Sequence, residues 1–231
     1  MIVNVIMAII AYLIGSINFS VIFSKKFAGF DVREKGSGNA GSTNMLRSVG
    51  KGAAALTLLC DVLKGVVAIL IAIGIGNLVQ SADKGLLVQI AGIAVVIGHT
   101  FPIFFGFKGG KGVATSLGIL LMTNWQIGLI CLVFALVLMA LTQMVSLGSC
   151  AAAVLFPVLT LFIKEHYIVA EGGSYFIYSV ILAVIVLYNH RSNIKRMLNG
   201  TENKLSFKKN KTKVKTGRNI PVERNKKWKK Q

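Results

Sequence analysis

Seven apolar runs divide this chain, and their lengths limit what it can fold into. They cover residues 2–23, 53–76, 86–105, 113–122, 126–141, 147–163 and 175–189. A helix needs roughly 20 apolar residues to cross about 30 Å of hydrocarbon, and six of the runs approach that length. The fourth is too short to cross alone, so it must tilt, thin the bilayer or merge with the fifth. Inside lipid every backbone N–H and C=O must be satisfied within the protein, which leaves helices or a closed barrel. A barrel requires alternating segments of about ten residues, and the sequence contains none. The expectation is an all-α, polytopic integral membrane bundle of about seven transmembrane helices, with five or six crossings as the alternative. Residues 1–203 form one membrane domain and residues 204–231 a basic tail.

The formal charge of +18 points to nucleic acid in a soluble protein, but here its distribution has to be read first. Seven spans sort the connecting segments onto two sides. One side carries 23 Lys and Arg, and the other carries only Lys84 and Lys164. Positive charge collects on the cytosolic side, so the N-terminus is expected outside and the C-terminus inside. Residues 204–231 hold twelve of these charges without a hydrophobic period, which suits a disordered segment lying on anionic membrane lipids. With only Phe207 and Trp228 interleaved, no nucleic acid is expected as a partner.

The first run resembles a secretory signal, but its lysines, Lys25 and Lys26, follow the apolar stretch, so it reads as a retained span. Cys60, Cys131 and Cys150 stand alone in apolar runs and read as small hydrophobes. No metal or cofactor is expected. No convincing internal repeat is present, which weighs against a secondary transporter.

Polar chemistry concentrates in the segments assigned to the inner face. The first, residues 35–52, reads "KGSGNAGSTNMLRSVGKG". Gly38 and Gly41 let amides converge on an anion. Ser37, Asn39, Thr43 and Asn44 add hydrogen bonds, and Arg47 offers a bidentate fork for phosphate or carboxylate. The plain alternative is a polar turn capping a helix that starts near Ser42.

The second, "GFKGGKGVAT" at residues 106–115, holds two lysines and four glycines without an acid. It resembles the end of a nucleotide-binding P-loop. However, the spacing is wrong, Gly112 replaces the magnesium-binding hydroxyl, and a membrane helix precedes it. What remains is a turn of Lys108, Gly109, Gly110, Lys111 and Gly112 suited to a phosphate, or a tight turn whose lysines only set topology.

The third, residues 188–202, places His190 and Asn193 three apart, on one helical face. Histidine can act as base or donor, and asparagine can bind an oxyanion. Ser146 lies in a fourth inner turn with scope for substrate contact. Within the second run, Asp61 and Lys64 are spaced to pair across one helical turn, and structural glue is the favoured reading. Pro102 and Pro157 are expected to bend their helices.

Taken together, "GSINFS" (residues 15–20), "GSGNAGSTNMLR" (36–47), "LLCDVLKG" (58–65), "GHTFPIFFGFKGGKGVAT" (98–115) and "HRSNIKRMLNGTE" (190–202) resemble the bacterial acyl-phosphate:glycerol-3-phosphate acyltransferases, the PlsY family. The resemblance covers nearly everything except the tail. It implies an enzyme of the bacterial cytoplasmic membrane, working at the cytosolic face. Such an enzyme moves an acyl group from acyl phosphate to the 1-hydroxyl of sn-glycerol 3-phosphate, giving lysophosphatidic acid and phosphate. It implies essential roles for Ser37, Arg47, His190 and Asn193, a phosphate-binding loop at residues 108–112 and a structural Glu202. The acyl-CoA-dependent acyltransferases use an HxxxxD pair. The nearest match, "HYIVAE" at residues 166–171, has the wrong acid and lies on the outer side.

An acyl phosphate already carries a good leaving group, so direct transfer is expected in preference to an acyl-Ser37 intermediate. Either His190 or a phosphate oxygen of the substrate is the base. A channel or transporter for organic phosphates, or a scaffold working through its tail, are the competing classes.

Overall fold

A computed structural model of the chain describes residues 1–79, 83–163 and 172–205. Within these the chain is helical: α1 (Ile2–Gly15), α2 (Phe19–Ala28), α3 (Ser42–Ser48), α4 (Lys51–Leu78), α5 (Lys84–Thr100), α6 (Val113–Thr123), α7 (Trp125–Thr142), α8 (Val145–Phe162), α9 (Gly172–Asn189) and α10 (Arg191–Leu198). Large apolar side chains such as Leu59, Leu70, Val133, Leu136, Ile177 and Val184 point outward. Lipid explains this pattern, because a bilayer removes the penalty that water imposes on exposed hydrocarbon.

Counted by length, the crossings differ from the seven runs. Five segments are long and apolar enough: Ile2–Ala28, Lys51–Leu78, Lys84–Phe105, Trp125–Thr142 and Val145–Phe162. A sixth is obtained if α9 and α10, bent by 64°, form one broken span. Helix α6 has 11 residues, which at 1.5 Å each reach only about 16 Å. The protein is therefore an all-helical, multi-pass integral membrane protein with five to six candidate spans. Residues 80–82, residues 164–171 with the "HYIVAE" stretch, and nearly all of the basic tail lie outside the described residues.

The first run does not form one straight helix. It breaks at residues 16–18 between α1 and α2, and the groups freed by the break find partners nearby. Ser16 Oγ donates back to Tyr12 O at 2.8 Å, and Asn18 caps α2 by accepting from Val21 N at 3.2 Å. Lys64 Nζ then donates to the carbonyls of Gly15 and Ile17 at 3.1 and 3.0 Å. A broken helix at membrane depth persists only where protein satisfies its orphan groups, and a buried lysine from α4 does so here.

Helix α5 stops at Thr100, short of its expected end at residue 105. Pro102 follows, with a short 3₁₀ turn over Ile103–Phe105. Pro157, by contrast, sits inside α8. Small residues let the helices cross closely. A Cβ at Gly65 of α4 would lie 2.4 Å from Thr115 O of α6, and one at Gly118 of α6 would lie 2.1 Å from Val62 O of α4. This backbone contact fixes the N-terminus of α6, and with it the loop before it, against α4. The three cysteines are free.

Candidate active site

The loops flanked by these helices meet at one cavity of about 710 Å³. Every candidate from the sequence lines it: Ser37, Gly38, Asn39, Gly41, Thr43, Asn44 and Arg47 from the first segment, Lys108 to Gly112 from the second, Ser146 from the α7–α8 turn, and His190 and Asn193 from the third. Its other wall is apolar and includes Leu120, Leu132, Ala153, Phe156, Leu182 and Val186. A charged pocket thus runs into a hydrocarbon-lined groove between α6, α7, α8 and α9.

Lys111 is the central cation. It sits in the loop before α6 and donates to Asn193 Oδ1. Burial lowers its pKa to about 8, and the neighbouring Arg196 and Arg47 charges add to that, while Glu202 opposes it. Asn193, 6% exposed, donates in turn from Nδ2 to Glu202 Oε1 at 2.7 Å. Ser146 Oγ donates to the same oxygen at 2.8 Å, and Arg196 Nε donates to Oε2 at 2.8 Å. Burial pushes the Glu202 carboxyl upward, but together the hydrogen bonds from Asn193, Ser146 and Arg196 outweigh it and hold the pKa below the usual value. The glutamate is thus an anion tying α8 to α10. Asn193 relays its orientation to Lys111, so both ends of the Asn193 amide are engaged. Asn193 thus bridges Lys111 and Glu202, and the second N–H of its Nδ2 is left over from these two bonds.

His190 occupies the joint after α9, and α10 leaves it at a sharp angle. Its Nδ1 lies 2.8 Å from Val186 O. A carbonyl can only accept, so Nδ1 carries the proton, and in the neutral ring Nε2 has a free lone pair. Burial pushes the His190 pKa down to about 4, aided by the Lys111 charge, so the ring is neutral at ordinary pH.

Two expectations change in detail. Asn44, 1% exposed, donates from Nδ2 to the carbonyls of Val32, Lys35 and Asn39 at 2.9, 3.0 and 3.0 Å, and its Oδ1 accepts from Ser37 N at 3.0 Å. It staples residues 32–39 into shape and has no amide bond to spare for a ligand. In the glycine loop, Gly109 N donates to Thr100 O at 3.0 Å and Gly110 N to His99 O at 3.1 Å. Those two amides fasten the loop to α5. Beyond them Gly112 turns the chain at φ +87° into the opening turn of α6, the kind of helix start whose N–H groups can take an anion. Arg47, exposed at the cavity edge, donates to Asn203 O at 3.3 Å.

Arg33 escapes a sequence reading because a lone arginine in an inner loop looks like a topology charge. Held by Asp31 at 2.8 Å, it donates from Nη1 to Phe105 O at 2.6 Å and Lys108 O at 3.1 Å, binding the first segment to the second. The only sequence signal is Asp31 two residues before it. Among the described residues, no group of three or more His, Cys, Asp or Glu is placed to share a metal ion.

A lipid-embedded helical bundle with a cationic cup opening into a hydrocarbon groove defines a class: membrane enzymes that act on a phosphorylated, acyl-bearing substrate. The sequence profile of the glycerol-3-phosphate acyltransferase family matches residues 5–200. This chain belongs to that family. It is 48% identical over 205 residues to the glycerol-3-phosphate acyltransferase of Clostridioides difficile (strain 630), covering 89% of this chain and 97% of that one. It is 47% identical to the enzyme of Thermoanaerobacter sp. (strain X514), covering 88% and 96%. Among solved structures it resembles the integral membrane glycerol 3-phosphate acyltransferase PlsY in its glycerol 3-phosphate form, with a TM-score of 0.76 and 35% identity over 88% of this chain and 96% of that one. The lysophosphatidic acid form of PlsY matches with a TM-score of 0.74.

Proposed function

We propose that this chain is a glycerol-3-phosphate 1-O-acyltransferase that uses acyl phosphate as donor and releases lysophosphatidic acid and inorganic phosphate. The observation that carries this reading is the shared cavity. Lys111, Arg47 and His190 line the same space as an apolar groove of acyl-chain character. PlsY structures with glycerol 3-phosphate and with lysophosphatidic acid support the substrate and product.

In the proposed mechanism, Lys111 and Arg47, with Lys108 assisting, hold the phosphate of glycerol 3-phosphate at the opening turn of α6. The acyl chain lies along Leu132, Ala153, Phe156 and Leu182, so its head reaches the same cup. The 1-hydroxyl oxygen attacks the acyl carbon, and its proton passes to His190 Nε2. The bond from the acyl carbon to the phosphate oxygen breaks, and the departing phosphate takes the proton. Ser37 and Thr43, at the cavity edge, donate to the substrates. Holding two anions in register in place of solvent supplies much of the rate, because positioning alone can be worth roughly 7–11 kcal/mol. Transfer is direct, with no acyl-Ser37 intermediate.

From the bias of basic residues we infer that the cup lies at the cytosolic face of a bacterial cytoplasmic membrane; an odd number of crossings then puts the N-terminus outside and the C-terminus inside. Residues 1–203 carry the catalysis, and the tail after them binds anionic lipid. Deleting residues 208–231 is expected to leave kcat within about two-fold while reducing retention on anionic vesicles, scored by flotation.

The functional reading is tested by phosphate release from purified protein given acyl phosphate, with and without glycerol 3-phosphate, in chelator. Release that needs both substrates is expected. Movement of glycerol 3-phosphate into vesicles without acyl phosphate consumption would replace the enzyme by a transporter.

A further inference from the structure

The proposed mechanism leaves one buried ionic cluster without a task. Asp61 and Lys64 of α4 pair at 2.9 Å, each with a side chain 3% exposed. His99, near the end of α5 and 6% exposed, points Nδ1 at Asp61 Oδ1 from 3.5 Å. Charges this deep are costly unless paired, and intramembrane ions usually serve a site. Asp61 and His99 both line the cavity, while Lys64 reaches the other way to the broken end of α1.

The opposite edge of the His99 ring faces the glycine loop. A Cβ at Gly110 would stand 2.1 Å from His99 Nε2 and 2.7 Å from Cε1. The same residue's backbone carbonyl accepts from Gly110 N at 3.1 Å. The loop therefore rests on His99 through both ring and main chain, one residue before Lys111. Ring orientation is set from behind, because Nδ1 faces a carboxylate and carries the proton toward it.

We propose that His99, oriented by the Asp61–Lys64 pair, is a positioning residue whose ring forms the floor under Gly110 and thereby sets where Lys111 meets the phosphate of glycerol 3-phosphate. The pair is then more than glue between α4 and the break in the first span. It links the membrane-embedded packing of α1, α4 and α5 to the geometry of the phosphate loop. This inference rests on the assignment of residues 108–112 to glycerol 3-phosphate.

The test uses the full chain in lipid nanodiscs. It measures glycerol 3-phosphate binding by calorimetry, the KM values for both substrates, and thermal unfolding. His99→Asn is the primary variant, because its amide keeps a polar group facing Asp61 while removing the floor. His99→Ala is the second. Both are expected to weaken glycerol 3-phosphate binding by about ten-fold or more, since small displacements of a binding group carry penalties of this order. The KM for acyl phosphate should stay within about two-fold, and His99→Asn should unfold close to wild type.

Gly110→Ala should also weaken binding, and combining it with His99→Ala should cost less than the product of the two effects, because the smaller side chain removes the two closer of the methyl's clashes and leaves only the 2.8 Å approach to Ala40 O. Unchanged binding in both His99 variants overturns the inference. So do multiplicative penalties, or equal losses for both substrates in proportion to lost stability. If wild type itself fails to bind glycerol 3-phosphate, the assignment of the loop fails instead, and the inference falls with it.

Discussion

Lys111→Ala is expected to lower kcat/KM for glycerol 3-phosphate by about 10²–10³-fold, while changing the KM for acyl phosphate much less. The size follows from two losses. A hydrogen bond from a charged donor is worth about 1.5–3 kcal/mol. Removing the lysine also leaves Asn193 Oδ1 without its donor in a buried site, at a further cost of about 1–3 kcal/mol, although Glu202 keeps Ser146 and Arg196. Each 1.36 kcal/mol is a factor of ten.

The same residue gives the alkaline side of the pH profile. Burial has brought the Lys111 pKa down to about 8. A lowered lysine pKa favours the neutral form, so the free enzyme loses its phosphate-binding cation as pH rises through about 8. Accordingly, kcat/KM should fall above that point. In the complex the dianionic phosphate restores the charge, so the alkaline limb of kcat should lie at higher pH than that of kcat/KM. Lys111→Arg keeps its charge throughout this range, and whatever activity it retains should lack the limb near 8. A wild-type profile flat to pH 9.5, or equal small effects on both substrates, would remove Lys111 from the phosphate site.

Much of this was legible in the sequence because the bilayer imposes coarse, strong rules. Apolar runs marked α4, α5, α7, α8 and α9 to within a few residues. The three polar segments, read as one inner cluster, do converge on one cavity. What stayed hidden was the partner of each polar group. Composition gives a residue's hydrogen-bonding capacity, and only the fold says where that capacity is used. Asn44 and Asn193 looked alike as ligand donors, yet one staples the 32–39 turn and the other bridges Lys111 and Glu202. Gly109 and Gly110 looked like a free nest of amides, yet the end of α5 claims both. The break after Gly15 was equally concealed, since Ser16 and Asn18 are tolerable in a span. Only the approach of Lys64, 49 residues away, makes their backbone affordable in lipid.

His190→Ala is expected to reduce kcat by about 10²–10⁴-fold, the usual contribution of a positioned general base, with little change in either KM. The structure supplies both the direction and the restraint on this base. Val186 O fixes the proton on Nδ1, so Nε2 remains the basic atom whatever the substrate does. A pKa near 4 keeps the ring neutral and ready, but on its own makes a weak proton acceptor. Burial is the main cause, and the Lys111 charge is the next. That second cause is removable, because a phosphate dianion docked on Lys111 cancels the cation His190 experiences. Glycerol 3-phosphate binding should therefore raise the His190 pKa toward its ordinary value, strengthening the base only when its substrate is present. Imidazole NMR titration of the protein in nanodiscs measures this directly. The expected result is a pKa of about 4 without ligand, an upward shift with glycerol 3-phosphate, and a similar upward shift in Lys111→Ala without ligand. If His190→Ala keeps wild-type kcat, the hydroxyl proton goes to a substrate phosphate oxygen, and the ring only shapes the joint between α9 and α10.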